Sequence, residues 1–157
     1  MNESEKLCNS YRPRHVTVLF VGESPPNKGT FFYKGNSRLY HAMKRAFGDS
    51  ASFLSEFKAN GFFLDDLVID PINQMEGPER SEHRKEGVPS LAQRMKRYQP
   101  SAVVALMCAN KPMVVEAMRR AGLSHVPLHV TPFPTYGNQG RFRAKMAEIM
   151  PKILNRE

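Results

Sequence analysis

The segment VTVLFVGESPPNKGTFFYKGNS, residues 16–37, decides how this chain folds. Val16 to Val21 is a continuous apolar, β-branched run, the pattern of a strand covered on both faces. It ends at Gly22. Glu23 and Ser24 follow, then Pro25-Pro26 and Gly29, then three aromatics in a row, Phe31, Phe32 and Tyr33. A buried strand running into a Gly/Pro turn opens a strand–loop–helix unit. Ser37 suits the cap of a helix over Arg38 to Phe47, with Leu39, Met43, Ala46 and Phe47 on one side and Gly48 as its stop.

The same unit recurs outward from this segment. A helix is expected over Ser52–Ala59, with Phe53, Leu54 and Phe57 inward and Asn60-Gly61 as its stop. Phe62–Val68 (FFLDDLV) reads as a short strand ending in two acids, and Asp70–Asn73 as a turn. Residues 74–87 (QMEGPERSEHRKEG) read as a charged loop punctuated by Gly and Pro. Pro89-Ser90 opens a helix over Leu91–Tyr98, with Arg94, Lys96 and Arg97 on its outer side. Ala102–Met107 is a third strand, Pro112–Ala121 a helix stopped by Gly122, and Val126–Val130 a fourth strand. Residues 131–140 (TPFPTYGNQG) form a second Gly/Pro loop. Arg141–Leu154 is a closing helix with Phe142, Met146, Ile149 and Ile153 as its stripe. Residues 1–14 read as a polar, peripheral segment. Strands alternating with helices predict a single α/β domain: a three-layer α/β/α sandwich around a central, mainly parallel four-stranded sheet.

Composition narrows the partners. The 157 residues carry a formal net charge of +8 and a pI of about 9.7, which favours an anionic partner, nucleic acid first. At 41% apolar and 24% charged the chain is globular rather than disordered. Cys8 and Cys108 are too far apart in sequence for a zinc or iron–sulfur pattern. His41, His83 and His125 lack ligand spacing, so no metal and no cofactor are expected. No apolar run approaches a bilayer span, and the N-terminal residues lack an apolar signal core. The expectation is a cytoplasmic monomer without membrane contact.

In a parallel sheet, ligands sit beyond the carboxyl ends of the strands. Three loops leave those ends, and they hold the unusual residues. In the first, Phe31 or Phe32 is a candidate to stack on a base. Glu23 is a candidate to act on water or a sugar, or else caps local N–H groups. In the second, strand alternation sends Asp65 and Asp66 to opposite faces. One of them is a candidate to accept from a base edge, and Asn73 offers both a donor and an acceptor. The third loop carries Thr131, Pro132, Phe133, Pro134, Thr135, Tyr136 and Gly137 and leads to Arg141 at a helix start, where phosphate binds well. There is neither a G-x-x-x-x-G-K-[ST] loop nor a G-x-G-x-x-G.

Taken together, VTVLFVGESPP, GFFLDDLVIDPIN, PSAVVALMCANKPMVVEAM and HVTPFPTYGNQGRF resemble, in order, the four conserved segments of the uracil-DNA glycosylase superfamily. The resemblance covers roughly residues 16–154. It implies a flipped nucleotide held at the carboxyl ends of four parallel strands. It also implies catalysis from Glu23 and Ser24, base binding by Phe31, Phe32, Asp65, Asp66 and Asn73, minor-groove contact by Pro132 to Gly137, and DNA contact by Thr131 and Arg141. The sequence departs from the family pattern at the reactive positions. The water-activating Asp of the first motif falls on Ser24, and the later Glu of the alternative motif on Gly29. The base-reading Asn falls on Asp65 or Asp66, and the His of the last motif on Thr131. The expected function is a DNA-binding protein of this type, a DNA glycosylase acting on single- or double-stranded DNA. The alternatives are a non-catalytic nucleic-acid-binding module and a nucleoside or nucleotide hydrolase.

Overall fold

The computed structural model describes residues 3–26, 29–72 and 74–154. Helix α1 is Glu3–Ser10, β1 Val18–Gly22, α2 Arg38–Ala46, α3 Phe53–Ala59 and β2 Phe62–Asp66. They are followed by α4 Gly77–Glu86, α5 Val88–Tyr98, β3 Ala102–Ala105, α6 Lys111–Arg120, β4 Leu128–Val130 and α7 Gln139–Leu154. Single 3-10 turns cover Phe32–Lys34 and Cys108–Asn110. The four strands form one sheet in the order β2-β1-β3-β4, and every pairing is parallel. Val18 sits between Phe62 and Ala102, which fixes the register of the centre.

The topology follows from this order. The chain leaves β1 toward β2, crosses back over β1 to reach β3, and continues to β4. With right-handed crossovers, α2 and α3 cover one face, and α5 and α6 the other. α5 packs on α6, and α7 packs on α2. The sheet is thus flanked by helices on both sides. All five β1 residues are buried, as expected of a central strand. The loops after β1 and β3 diverge to opposite faces, which opens a crevice at their carboxyl ends.

Two expectations need correction. Residues 77–86, read as part of a loop, are helical. Pro78 stands in the first turn and no residue of α4 is buried, so there was no apolar stripe to find. Residues 3–10 form α1, none of whose residues is buried, and Tyr11 just beyond it stacks on Tyr33 with ring centroids 5.4 Å apart. The second correction concerns α5: Arg94, read as an outward charge, is 9% exposed and turns in toward β2.

The three consecutive aromatics divide their work. Phe32 is core, packed against Phe53 and Phe57 of α3. Tyr33 is buried beside the open edge of β2. Its hydroxyl donates to the Leu64 carbonyl at 2.8 Å and accepts from the Leu64 N–H at 2.7 Å. It therefore pairs the backbone groups that an edge strand would leave open. Phe31 is half-buried, and it reaches the cavity described next.

Candidate active site at the carboxyl ends of the strands

A cavity of about 640 Å³ opens where β1, β2 and the loops beyond β3 and β4 end. Gly22, Glu23 and Ser24 line it from β1, Leu64 to Asp66 from β2, and Met107 from the loop after β3. Phe133 and Thr135 close it from the loop after β4, Arg80 from α4 and Cys8 from α1. Phe31 supplies an aromatic wall. Its N–H is tied to the Asn36 side chain at 2.8 Å, and its ring meets Tyr33 edge-on.

Glu23 is 5% exposed and both of its oxygens are engaged. Arg80 Nε donates to Oε2 at 2.9 Å, Arg80 Nη2 donates to Oε1, and Arg84 Nε donates to Oε2 at 2.6 Å. The Arg80 guanidinium is held more firmly charged by its hydrogen bonds to Glu23. Two arginines on one carboxylate leave the cluster with net positive charge. Arg80 and Arg84 are four residues apart, so α4 presents both on one face. The sequence carried that spacing, but it is legible only once residues 77–86 are helical.

Ser24 Oγ accepts from the Ile72 N–H at 3.2 Å, and the Val68 N–H donates to the Glu23 carbonyl at 2.8 Å. The loops after β1 and β2 are thereby laced together. Asn73 lies outside the described residues.

The two acids at the end of β2 separate as strand alternation predicts. Asp65 Oδ2 accepts from the Tyr98 hydroxyl at 3.0 Å and lies 3.0 Å from Arg94 Nη1. Arg94 also donates to the Asp66 carbonyl at 2.7 Å and the Leu67 carbonyl at 3.3 Å. Asp65 is thus bound into the α5 side of the fold. Burial, then the hydrogen-bonded Asp65, pushes the Tyr98 hydroxyl up to about 12. The Asp66 carboxyl lines the cavity and has no hydrogen-bond or ion-pair partner among the described residues. A side chain at Gly22 would place its Cβ 2.6 Å from Asp66 Oδ1, so glycine there makes room for this carboxyl. Burial, then the neighbouring Asp65, pushes the Asp66 carboxyl up to about 8, with the attraction of Arg94 opposing. Burial and the same two acids push the Cys8 thiol up to about 12.

The loop after β4 is mixed. Thr131 is fully buried, its N–H bonded to the Ala105 carbonyl and its hydroxyl without a partner among the described residues. It therefore offers DNA no surface, which corrects its expected role: continuation of the β4 pairing draws it into the core. Pro134 is buried, Pro132 half-buried, and Phe133 is packed against the core. Tyr136 is 95% exposed at the tip, beside an exposed Gly137, and Arg141 is exposed on α7.

A second cleft, of about 270 Å³, runs between α2 and α7. Arg38, His41 and Arg45 line it from α2 and Arg143 from α7, with no carboxylate among them. Arg38 lines both cavities, so the basic cleft adjoins the main one. Sequence reading missed these α2 residues. They alternate with the apolar positions of an amphipathic helix, which is also the pattern of any solvated face. It also missed Arg80, Arg84, Cys8 and Met107. Among the described residues no cluster of His, Cys, Asp or Glu could hold a metal ion, and no helix is long and apolar enough to cross a membrane.

A family model described as the uracil DNA glycosylase superfamily matches residues 8–154. No curated protein sequence matches the chain.

Proposed function

The chain belongs to the uracil DNA glycosylase superfamily, and from that membership we propose that it binds DNA, holds one nucleotide out of the stack in the 640 Å³ cavity and hydrolyses its N-glycosidic bond. The observation that carries this reading is the convergence of Phe31, Asp66 and Arg80 on one cavity that adjoins a carboxylate-free basic cleft. The volume falls within the range of small-molecule sites. A flat side chain, a carboxyl and a guanidinium are the groups a base in such a pocket needs for stacking, edge recognition and charge.

In this mechanism Phe31 stacks on the flipped base and Asp66 meets its edge. Tyr136, exposed at the tip of the loop after β4, fills the gap left in the stack. Arg38, Arg45 and Arg143 hold flanking phosphates. The bond from C1′ to the ring nitrogen breaks first, giving a cationic sugar and an anionic base. A water oxygen then bonds to C1′, and its proton ends on the base or in solvent. Glu23 acts by holding Arg80 at the cavity wall, since both of its oxygens already accept from guanidinium groups. The net positive charge of that cluster stabilises the departing base, as preorganised cations do for developing anions.

One observation favours a second reading. Glu23 is committed to two arginines, and Ser24 Oγ is committed to the Ile72 N–H. Among the described residues no side chain of the β1 loop is left as a free base for water, which suits a binding module that recognises a flipped base without excising it. The test is a panel of labelled oligonucleotides, single- and double-stranded, bearing uracil, hypoxanthine, xanthine, thymine mismatches or oxidised bases, followed by alkali. Strand breaks that fall at least tenfold in Phe31→Ala and Arg80→Ala establish excision. Binding without breaks establishes the module. Neither binding nor breaks, with turnover of free nucleosides, would replace both by a nucleoside hydrolase.

A further inference from the structure

The end of β2 carries an unequal match of charges. Three carboxyl groups, Glu23, Asp65 and Asp66, meet three guanidinium groups, Arg80, Arg84 and Arg94. Arg80 and Arg84 both serve Glu23. Arg94 serves Asp65 and the backbone carbonyls of Asp66 and Leu67. Asp66 is left without a counter-charge. It is half-buried over Gly22, lines the cavity and has no partner among the described residues.

Resting on the reading above, we propose that Asp66 meets the flipped base as a neutral carboxylic acid, its O–H donating and its C=O accepting along one base edge. A neutral acid offers one donor beside one acceptor, as a primary amide does, whereas a carboxylate offers two acceptors. The substrate class is therefore a base whose exposed edge has an acceptor next to a donor. Uracil and thymine provide this with O4 and N3–H, and hypoxanthine with O6 and N1–H. Cytosine and adenine present the same pair in reverse, and Asp66 alone does not separate them. Guanine offers the same O6 and N1–H pair as hypoxanthine and, with N1–H beside its exocyclic amine, also two donors to a carboxylate, so it suits either form of the acid. An ionised acid here would only accept, and would suit an edge different from uracil's.

The surroundings on balance favour the neutral form. Burial removes water, Asp65 on β2 repels a second negative charge, and Glu23 after β1 adds a smaller repulsion. Cys8 on α1 and Tyr33 in the 3-10 turn face the acids as neutral groups, the thiol pushed up to about 12 and the phenol pushed up by burial. Arg94 on α5 opposes the effect but is bound to Asp65, and Arg80 and Arg84 on α4 are bound to Glu23. Arg12 lies toward Cys8 and Tyr98.

The test uses the full chain and single-stranded oligonucleotides carrying one non-cleavable 2′-fluoro-deoxyuridine, one 2′-fluoro-deoxyguanosine or one tetrahydrofuran abasic analogue. Affinity is measured by fluorescence anisotropy from about pH 6 to pH 9. The preference for the uracil probe over the abasic probe should fall by up to tenfold per pH unit above the Asp66 midpoint, while the guanine probe, which suits either form, changes less. Asp66→Asn should keep the uracil preference and lose its pH dependence, and Asp66→Leu should lose the preference at every pH. A uracil preference independent of pH in the wild type, or an Asp66→Asn profile with the wild-type slope, would overturn the proposal while leaving DNA binding intact. Absence of binding to all three probes would instead sink the functional reading itself. The Asp66 carboxyl carbon, followed by NMR in the free protein, gives an independent readout. A midpoint in the ordinary carboxylate range contradicts the proposal whether or not DNA binds.

Discussion

Asp66 shows how much one side chain's surroundings decide. Its neighbour Asp65 differs by one position and faces the other way, where Tyr98 and Arg94 receive it. Asp66 receives nothing, and its carboxyl rises from 3.8 to about 8. The folded value lies above the unfolded one, so between these limits the native protein keeps a proton that the unfolded chain releases. Stability from this group is full below about pH 4 and is lost as pH rises through about 8, with a slope of at most about 1.4 kcal/mol per pH unit. Asp66→Asn removes that slope. In urea titrations the variant should match the wild type near pH 4 and exceed it by up to about 5 kcal/mol at pH 8, that slope carried across the interval from 3.8 to about 8. Parallel stability curves for the two proteins across that range would contradict this assignment.

Among the elements, α4 is the least typical. It has no buried residue, and its sequence, GPERSEHRKE, has no apolar period to dock it. What fixes it to the sheet is the pair of arginines on Glu23. Glu23→Gln removes one charge from the centre of that cluster and leaves two half-buried guanidinium groups facing each other. Hydrogen exchange should then speed up at least tenfold in residues 77–86 and stay slow in β1 and β3. Equal protection in both proteins would show that α4 is held by something else. This helix also marks where sequence reading reaches its limit. β1 and β3 were legible because a strand buried on both faces is a bare apolar run. α2 and α7 were legible from an apolar stripe. α4 shows neither signal, because its partner is a single carboxylate 57 residues earlier in the chain. Arg94 was misread for a related reason. A helical arginine beside Lys96 and Arg97 looks solvated, and only the arrival of Asp65 from β2 shows that it is not. The loops that hold the site were legible as places, since Gly/Pro turns after buried strands mark them. Which of their side chains remain free for a ligand was not, because that depends on pairing between loops. Phe31 and Phe32 were interchangeable in sequence. The structure gives Phe32 to the core and leaves Phe31 at the cavity wall.

Over the whole molecule, the features line up along one side of the sheet. The main cavity opens at the carboxyl ends, Tyr136 projects from the loop after β4, and the basic cleft between α2 and α7 adjoins through Arg38. A net charge of +8 favours a polyanionic partner, and in the proposed function this arrangement is its track beside a pocket of base size. The proposed function requires that a DNA base leave its stack and enter that pocket. The most direct measurement places 2-aminopurine next to a non-cleavable 2′-fluoro-deoxyuridine in a labelled duplex and follows its fluorescence as protein is added. Fluorescence should rise on binding, as the neighbouring base unstacks. That rise should be lost in Phe31→Ala and Tyr136→Ala, each weakening binding by about 1–3 kcal/mol, the usual value of one base–aromatic stack. Tight binding with no rise in fluorescence, or a rise unchanged in both variants, would contradict it.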